Sequence, residues 1–257
     1  MRFRSLGSGS GGNATVVEAG RGPTARRLLI DAGFSLRELE SRLARAELQP
    51  TDLHAVFVTH EHGDHIGCAA ALADRYALPL WMSRGTWRAI GAPDLSTLRY
   101  ARDEQGIDLG ELQVTPFTVA HDAEEPLQLR CTDGARSLGI VTDVGSATPH
   151  LLDQLRGVDA LLLECNHDRS MLAASRYPMS LKMRIGGRLG HLSNESAAQV
   201  LAACVHTGLN HLVAAHLSQH NNTPALARAA LARVWGATDD DVVVADQQSG
   251  CGWITLA

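Results

Sequence analysis

The sequence predicts an α/β fold, and three observations carry the prediction. Short aliphatic runs alternate along the chain with stretches in which leucine or alanine recurs at helical spacing. A length of 257 residues with 45% apolar side chains supplies one substantial core, and no low-complexity linker interrupts it, so a single domain over residues 1–257 is expected. Ionisable residues, histidine above all, fall at the ends of the strand-like runs.

Each element has its own justification. "NATVVEA" and "RLLIDAG" are β runs bounded by glycine, and Leu36, Leu39 and Leu43 then recur at helical spacing through "SLRELESRLARAEL". "HAVFVTH" is an unbroken apolar run, as a buried strand requires, and "IGCAAALADRYA" behind it has the composition of a helix. "LPLWMS" is a further strand, a short helix is expected near residues 85–90, and the stretch holding Pro93 and Gly106 is expected to be irregular. Next come the strands "LQVTPFTVAH", "LQLRCTD" and "SLGIVTDVG", a helix from Pro149, the strand "DALLLEC", a long loop, and a helix after "HLSNES". "HLVAAH", a helix from Pro224, and the closing strands "DVVVAD" and "GWITL" complete the chain. His60, His121, Asp143, Glu164 and His216 each stand at or just past the C-terminal end of a strand, so they can converge on one edge.

A formal charge of −5 argues against a protein that coats nucleic acid through a broad basic face, but leaves room for a local one. Between Arg169 and His191 the chain carries Arg169, Arg176, Lys182, Arg184 and Arg188 and no acidic residue. Cys68, Cys131, Cys165, Cys204 and Cys251 form no CxxC pair, which suggests free thiols in a reducing compartment. The N-terminal "MRFRSLGSGSGGN" is broken by Gly and Ser where a signal peptide needs an apolar core, and no apolar run is long enough to span a bilayer. A cytoplasmic protein with no membrane partner is therefore expected.

"FVTHEHGDHIG" places His60, His62, Asp64 and His65 within six positions. His60 and His62, two apart on an extended segment, can share one cation. Gly63 is expected to turn the backbone so that Asp64 and His65 aim at a second position. Imidazoles beside a carboxylate suit zinc, manganese or iron, whereas calcium and magnesium prefer cages of oxygen. The isolated His54, His150, His206, His211 and His220 read as structural. "GSGSGGN" lacks the Lys-Ser or Lys-Thr ending of a Walker loop and is expected to form a tight turn near the site, with Asn13 as a polar contact.

"THEHGDH" resembles the H-x-H-x-D-H signature of the metallo-β-lactamase superfamily, with later counterparts in "VAHDA", "VTDVG" and "AAHLS". The resemblance implies a four-layer αββα sandwich and two divalent cations per chain, zinc or manganese, with iron also admitted. It implies that His60, His62 and His121 hold one cation, that Asp64, His65 and His216 hold the other, and that Asp143 bridges them. "LGSGSGGNAT", "AHDAEEP", "LLLECNHD", "YPMSLKMRIGGRLGHLSNESA" and "AHLSQHNNTP" together resemble the YycJ/WalJ group of bacterial nucleases. "GHLSNESA" before "LVAAHLS" is more distantly similar to tRNase Z enzymes, in which the histidine matching His191 assists the departing oxygen.

These resemblances imply a metal-dependent phosphodiesterase acting on nucleic acid. DNA is the expected substrate and 5′-to-3′ exonuclease the expected activity. Two cations about 3.5–4 Å apart can share and activate a hydroxide. Asp64 is expected to bind metal and orient that hydroxide, and His191, as imidazolium, to protonate the leaving oxygen. Glu164 is expected either to orient His191 or to serve the structure alone, and His167 is a second candidate acid. Because the basic stretch leads into the loop of His191, Arg169, Arg176, Arg184 and Arg188 are expected to grip phosphates. The alternative is a small-molecule hydrolase, either a thioesterase of the glyoxalase II type or a cyclic-phosphate diesterase. The intact ligand set disfavours a non-catalytic scaffold.

Overall fold

The computed structural model describes residues 1–256 and arranges their strands in two seven-stranded sheets. Strands β1 (Arg2–Gly7), β2 (Ala14–Ala19), β3 (Arg26–Ile30), β4 (Ala55–Phe57), β5 (Leu80–Met82) and β6 (Leu98–Tyr100) lie side by side in the first sheet. The second sheet holds β7 (Ile107–Asp108), β8 (Gln113–Thr118), β9 (Leu127–Thr132), β10 (Ser137–Val141), β11 (Ala160–Glu164), β12 (His211–Ala215) and β13 (Val243–Val244). The last strand, β14 (Ile254–Thr255), returns to pair with β1. Both sheets follow one scheme. The chain from β14 through β1 and β2 to β3 is antiparallel, and β3 to β6 is parallel. Likewise β7 to β10 is antiparallel and β10 to β13 is parallel. In this scheme β3 corresponds to β10, β4 to β11, and β5 to β12.

Alternation along the strands sets the layers. Leu28 and Ile30 of β3 face the gap between the sheets with Phe57, Leu129, Ile140 and Leu162, while the intervening Leu29 faces outward. On that outer side Leu29 and Val56 pack against Leu39 and Leu43 of α1 (Leu36–Arg45) and Leu72 of α3 (Ala69–Tyr76), which follows the one-turn α2 (Gly63–Ile66). A short α4 (Arg84–Ala89) follows β5. On the far side of the second sheet Leu161 and Leu163 meet Leu155 of α5 (Pro149–Leu155). Two short helices, α6 (Arg169–Ala174) and α7 (Met179–Ile185), precede α8 (Asn194–Cys204) and α9 (Pro224–Trp235). Leu201 of α8 and Leu231 of α9 complete that outer layer. Three apolar interfaces thus separate four layers, and the observed architecture is the αββα sandwich. Strands covered on both faces read as continuous apolar runs, and each leucine they bury contributes about 1.5–3 kcal/mol.

The structure corrects the sequence reading at three places and adds a strand where none was assigned. Arg2–Gly7 is a strand: Phe3 and Leu6 are buried, and Arg2 lies 4.2 Å over the Trp253 ring, so the arginines that masked the pattern are accommodated at its edge. The stretch expected to be irregular contains β6 and β7. The expected long loop after β11 contains α6 and α7. The helix expected from Ile66 is interrupted at Gly67, whose φ of 31° ends α2 before α3 begins.

Candidate metal centre

Residues from both sheets converge where the strands end. His60 follows β4, and His62 leads into α2, which carries Asp64 and His65. His121 follows β8, Asp143 follows β10, Glu164 closes β11, His216 follows β12, and His191 precedes α8. Ligand-type atoms in the sets His60–His62–His121, Asp64–His65–His216 and His60–His65–Asp143 each lie within 4.8 Å of one another, and Asp143, Glu164, His191 and His216 form a further such set.

The hydrogen bonds around these residues fix which nitrogen each imidazole presents. A carboxylate only accepts, so His65 donates through Nδ1 to Asp31 Oδ2 at 2.8 Å and keeps Nε2 for the centre. Thr59 Oγ1 donates to Asp31 at 3.0 Å, and therefore accepts from His60 Nδ1, also at 3.0 Å. His121 donates through Nδ1 to Gly190 O at 3.0 Å. His216 donates through Nδ1 to Glu164 Oε1 at 3.1 Å. Four imidazoles thus turn Nε2 inward, and the buried Nε2 atoms of His60 and His216 have no hydrogen-bond partner among the described residues. Buried polar atoms are rarely left so, and a divalent cation is the group that satisfies inward-facing imidazole lone pairs beside a carboxylate. The donor set fits zinc, manganese or iron.

Charges follow the same pattern. Burial lowers the pKa of His65, but Asp143 and Asp31 on either side outweigh it and raise it to about 10, and a cation held at Nε2 would take the place of that proton. Burial would raise Glu164, yet the His191 charge and hydrogen bonds from His191 and His216 hold it at about 2. His191 donates through Nδ1 to Glu164 Oε1 at 2.7 Å and lies 2.9 Å from Asp143 Oδ1. Burial lowers this group too, and the Glu164 and Asp143 carboxylates outweigh it and raise it to about 10.

The backbone is bent to deliver these groups. Asp31, Asp143 and His216 adopt left-handed φ values of 61°, 52° and 53°. Such conformations cost about 1–3 kcal/mol each outside glycine and concentrate at functional sites. Asp31 and Asp143 follow the corresponding strands β3 and β10. The turn does not depend on Gly63, which has no left-handed φ and open space around its Cβ position. Gly33 is the residue the loop requires, because a methyl there would collide with the Asp64 carbonyl. The Gly-rich turn lies beside the site as expected: Ser8 Oγ accepts from His216 N at 2.8 Å, and Asn13 Nδ2 donates to Asp64 O at 3.2 Å.

A cavity of about 450 Å³ opens over the cluster, bordered by His62, Asp64, Asp143, His191 and His216 and also by Asp122, Asn166, Tyr177 and Arg184. Of the four expected phosphate-binding arginines, Arg184 reaches it, paired to Asp122 Oδ2 at 2.6 Å. Arg169 turns toward Ser193 and Ser196, and Arg176 and Arg188 are exposed outside the cavity lining. His167 is buried away from this cavity and borders a different hollow. His54, His150 and His206 have local partners in Arg27, Asp103 and Val158, as a structural role requires. Asp31 and Asp122 are the residues sequence reasoning missed. The signal for Asp31 was the one used for its neighbours, an acidic residue at the end of an apolar strand.

Residues 26–217 match the family described as beta-lactamase superfamily domain. The chain is 36% identical over 240 residues to exodeoxyribonuclease YycJ of Bacillus anthracis, covering 91% of this chain and 89% of that protein. It is 33% identical over 233 residues to exodeoxyribonuclease WalJ of Streptococcus pneumoniae, covering 88% and 85%. Among solved structures, the metallo-β-lactamase fold protein YhfI of Bacillus subtilis superposes with a TM-score of 0.75 at 19% identity, covering 99% of each chain. With the four layers and the ligand cluster in place, the chain belongs to the beta-lactamase superfamily, as a hydrolase with the metallo-β-lactamase fold.

Proposed function

We propose that the protein is a metal-dependent phosphodiesterase acting on nucleic acid, and specifically a 5′-to-3′ DNA exonuclease. The observation that carries this reading is His191, held by Glu164 on the same cavity as the inward-facing ligand cluster. The names of the relatives at 36% and 33% identity support the substrate class. His60, His62 and His121 would hold one cation and Asp64, His65 and His216 a second, with Asp143 within reach of both groups. When bound, such ions supply Lewis-acid activation of water and neutralise charge on the phosphoryl oxygens. Asp64, partly open to the cavity, orients the attacking water. Glu164 holds His191 at Nδ1, which keeps the ring charged and its other nitrogen available to protonate the leaving oxygen. Arg184 offers a guanidinium fork to a phosphate at the mouth of the cavity. The five buried, unpaired cysteines support a reducing, cytoplasmic setting.

The test is a panel of end-labelled single- and double-stranded DNA and RNA, digested by protein reconstituted separately with zinc, manganese and iron. Early release of label as mononucleotide from 5′-labelled DNA is expected. Thioester or cyclic-phosphate hydrolysis with no polymer cleavage would replace this reading with a small-molecule hydrolase.

A further inference from the structure

The α6–α7 hairpin has two sides. One borders the metal cavity through Tyr177, Leu181, Arg184 and Ile185. The other borders a separate hollow of about 390 Å³, walled by His167, Arg169, Leu172, Met179, Lys182 and Met183. Two features of this hollow call for a ligand. Met179 and Met183 are 68% and 70% exposed, and large apolar side chains grouped in solvent mark interaction surfaces. His167 is 3% exposed, and its Nδ1 has no hydrogen-bond partner among the described residues.

Charge narrows the ligand. Residues 169–191 include no acidic side chain in a protein of net charge −5. Arg169 is partly offset by Glu195 at 3.6 Å, but Lys182 has no acidic partner among the described residues and gives its Nζ to the Ala173 carbonyl. Flat apolar contact, a positive charge and a buried polar nitrogen together suit a nucleotide unit. Thioethers pack well against flat π surfaces, and an ammonium suits a phosphate.

We infer that this hollow is a second subsite for the substrate strand. It takes one nucleotide about three positions from the scissile linkage, with the base on Met179 and Met183, the phosphate at Lys182, and a polar edge at His167. The inference rests on the nucleic-acid reading above. The hollow and the cavity lie on opposite sides of α7, and a helix with its side chains is about 10–12 Å across. That span equals about three nucleotides at about 3.4 Å per step of one strand. Short substrates therefore occupy the metal centre without reaching the hollow.

The test compares Met183→Glu and Lys182→Ala with wild type on a thymidine dinucleotide, a decathymidylate and bis(p-nitrophenyl) phosphate. Both variants are expected to raise KM for the decanucleotide about tenfold. They should leave the dinucleotide and bis(p-nitrophenyl) phosphate unchanged. Unchanged KM on all three substrates would overturn the proposal. Fluorescence anisotropy with a labelled phosphorothioate decathymidylate, which resists cleavage, reads binding by the metal-loaded protein directly. If no polymer is cut with any metal, the nuclease reading fails, and equal binding by wild type and variants then overturns the subsite as well. A dimer that dissociates on Met183→Glu with DNA binding intact would assign the face to a second copy of the chain and also overturn it.

Discussion

Asp31 does not line the metal cavity, yet its carboxylate holds His65 directly and His60 through Thr59. Asparagine keeps its shape and tolerates the left-handed backbone, but with one acceptor oxygen it cannot accept from both His65 Nδ1 and the Thr59 backbone N–H, which use different oxygens of the carboxylate. Asp31→Asn is expected to weaken metal binding about 10–100-fold, the usual effect of removing a partner that orients a ligand. Calorimetric titration with zinc checks it. His191→Ala is expected to lower turnover about 10²- to 10⁴-fold while metal content stays constant. Single-turnover kinetics beside elemental analysis separates the two effects, and loss of metal would move His191 into the ligand set. The candidate ligands were legible because three histidines and an aspartate crowd six positions, which ordinary packing does not demand. Asp31 carries the same strand-end signal, but one aspartate before Ala32 and Gly33 looks like a turn residue until β3 is laid beside β4.

Strand β2 shows how local chemistry ties neighbouring strands together. Glu18 stands opposite Arg2 of β1 and Arg27 of β3, with contacts of 2.6 and 2.5 Å. Burial raises its pKa, and the hydrogen bonds and charges of the two arginines outweigh that and hold it below the usual glutamate range. A depressed folded pKa stabilises the fold above the unfolded pKa, and the contribution is lost as pH falls through the folded value. Glu18→Gln is therefore expected to lower stability by about 0.5–1 kcal/mol at neutral pH. Thermal melts in strongly acidic buffer should bring variant and wild type together. Helix α7 answers for another expectation. Arg184→Ala should raise KM for DNA and flatten its salt dependence by about one unit of slope or less. Hydrolysis of bis(p-nitrophenyl) phosphate should change little. Helices α6 and α7 were hidden because Pro178, Gly186, Gly187 and Gly190 surround seven or fewer residues of helical pattern, too few for periodicity to register. The long parallel-strand runs and the helices begun at Pro149 and Pro224 were legible because burial on both faces and proline in the first turn leave strong marks.

The two sheets repeat one strand scheme, and the site forms where their strand ends meet. The first sheet's side supplies His60, His62, Asp64 and His65, and the second supplies His121, Asp143 and His216. Neither contributes a complete set for two cations. That convergence was partly legible, since the ligands sit at strand ends, but the pairing of sheets that makes the ends coincide is a property of the three-dimensional packing. Elemental analysis of wild type and His216→Ala, loaded with zinc and freed of excess, tests the arrangement. Seven candidate ligands predict close to two cations per chain in the wild type and close to one in the variant, because the proposed centre assigns His216 to one of the two positions. A single cation in both proteins would contradict a dinuclear centre.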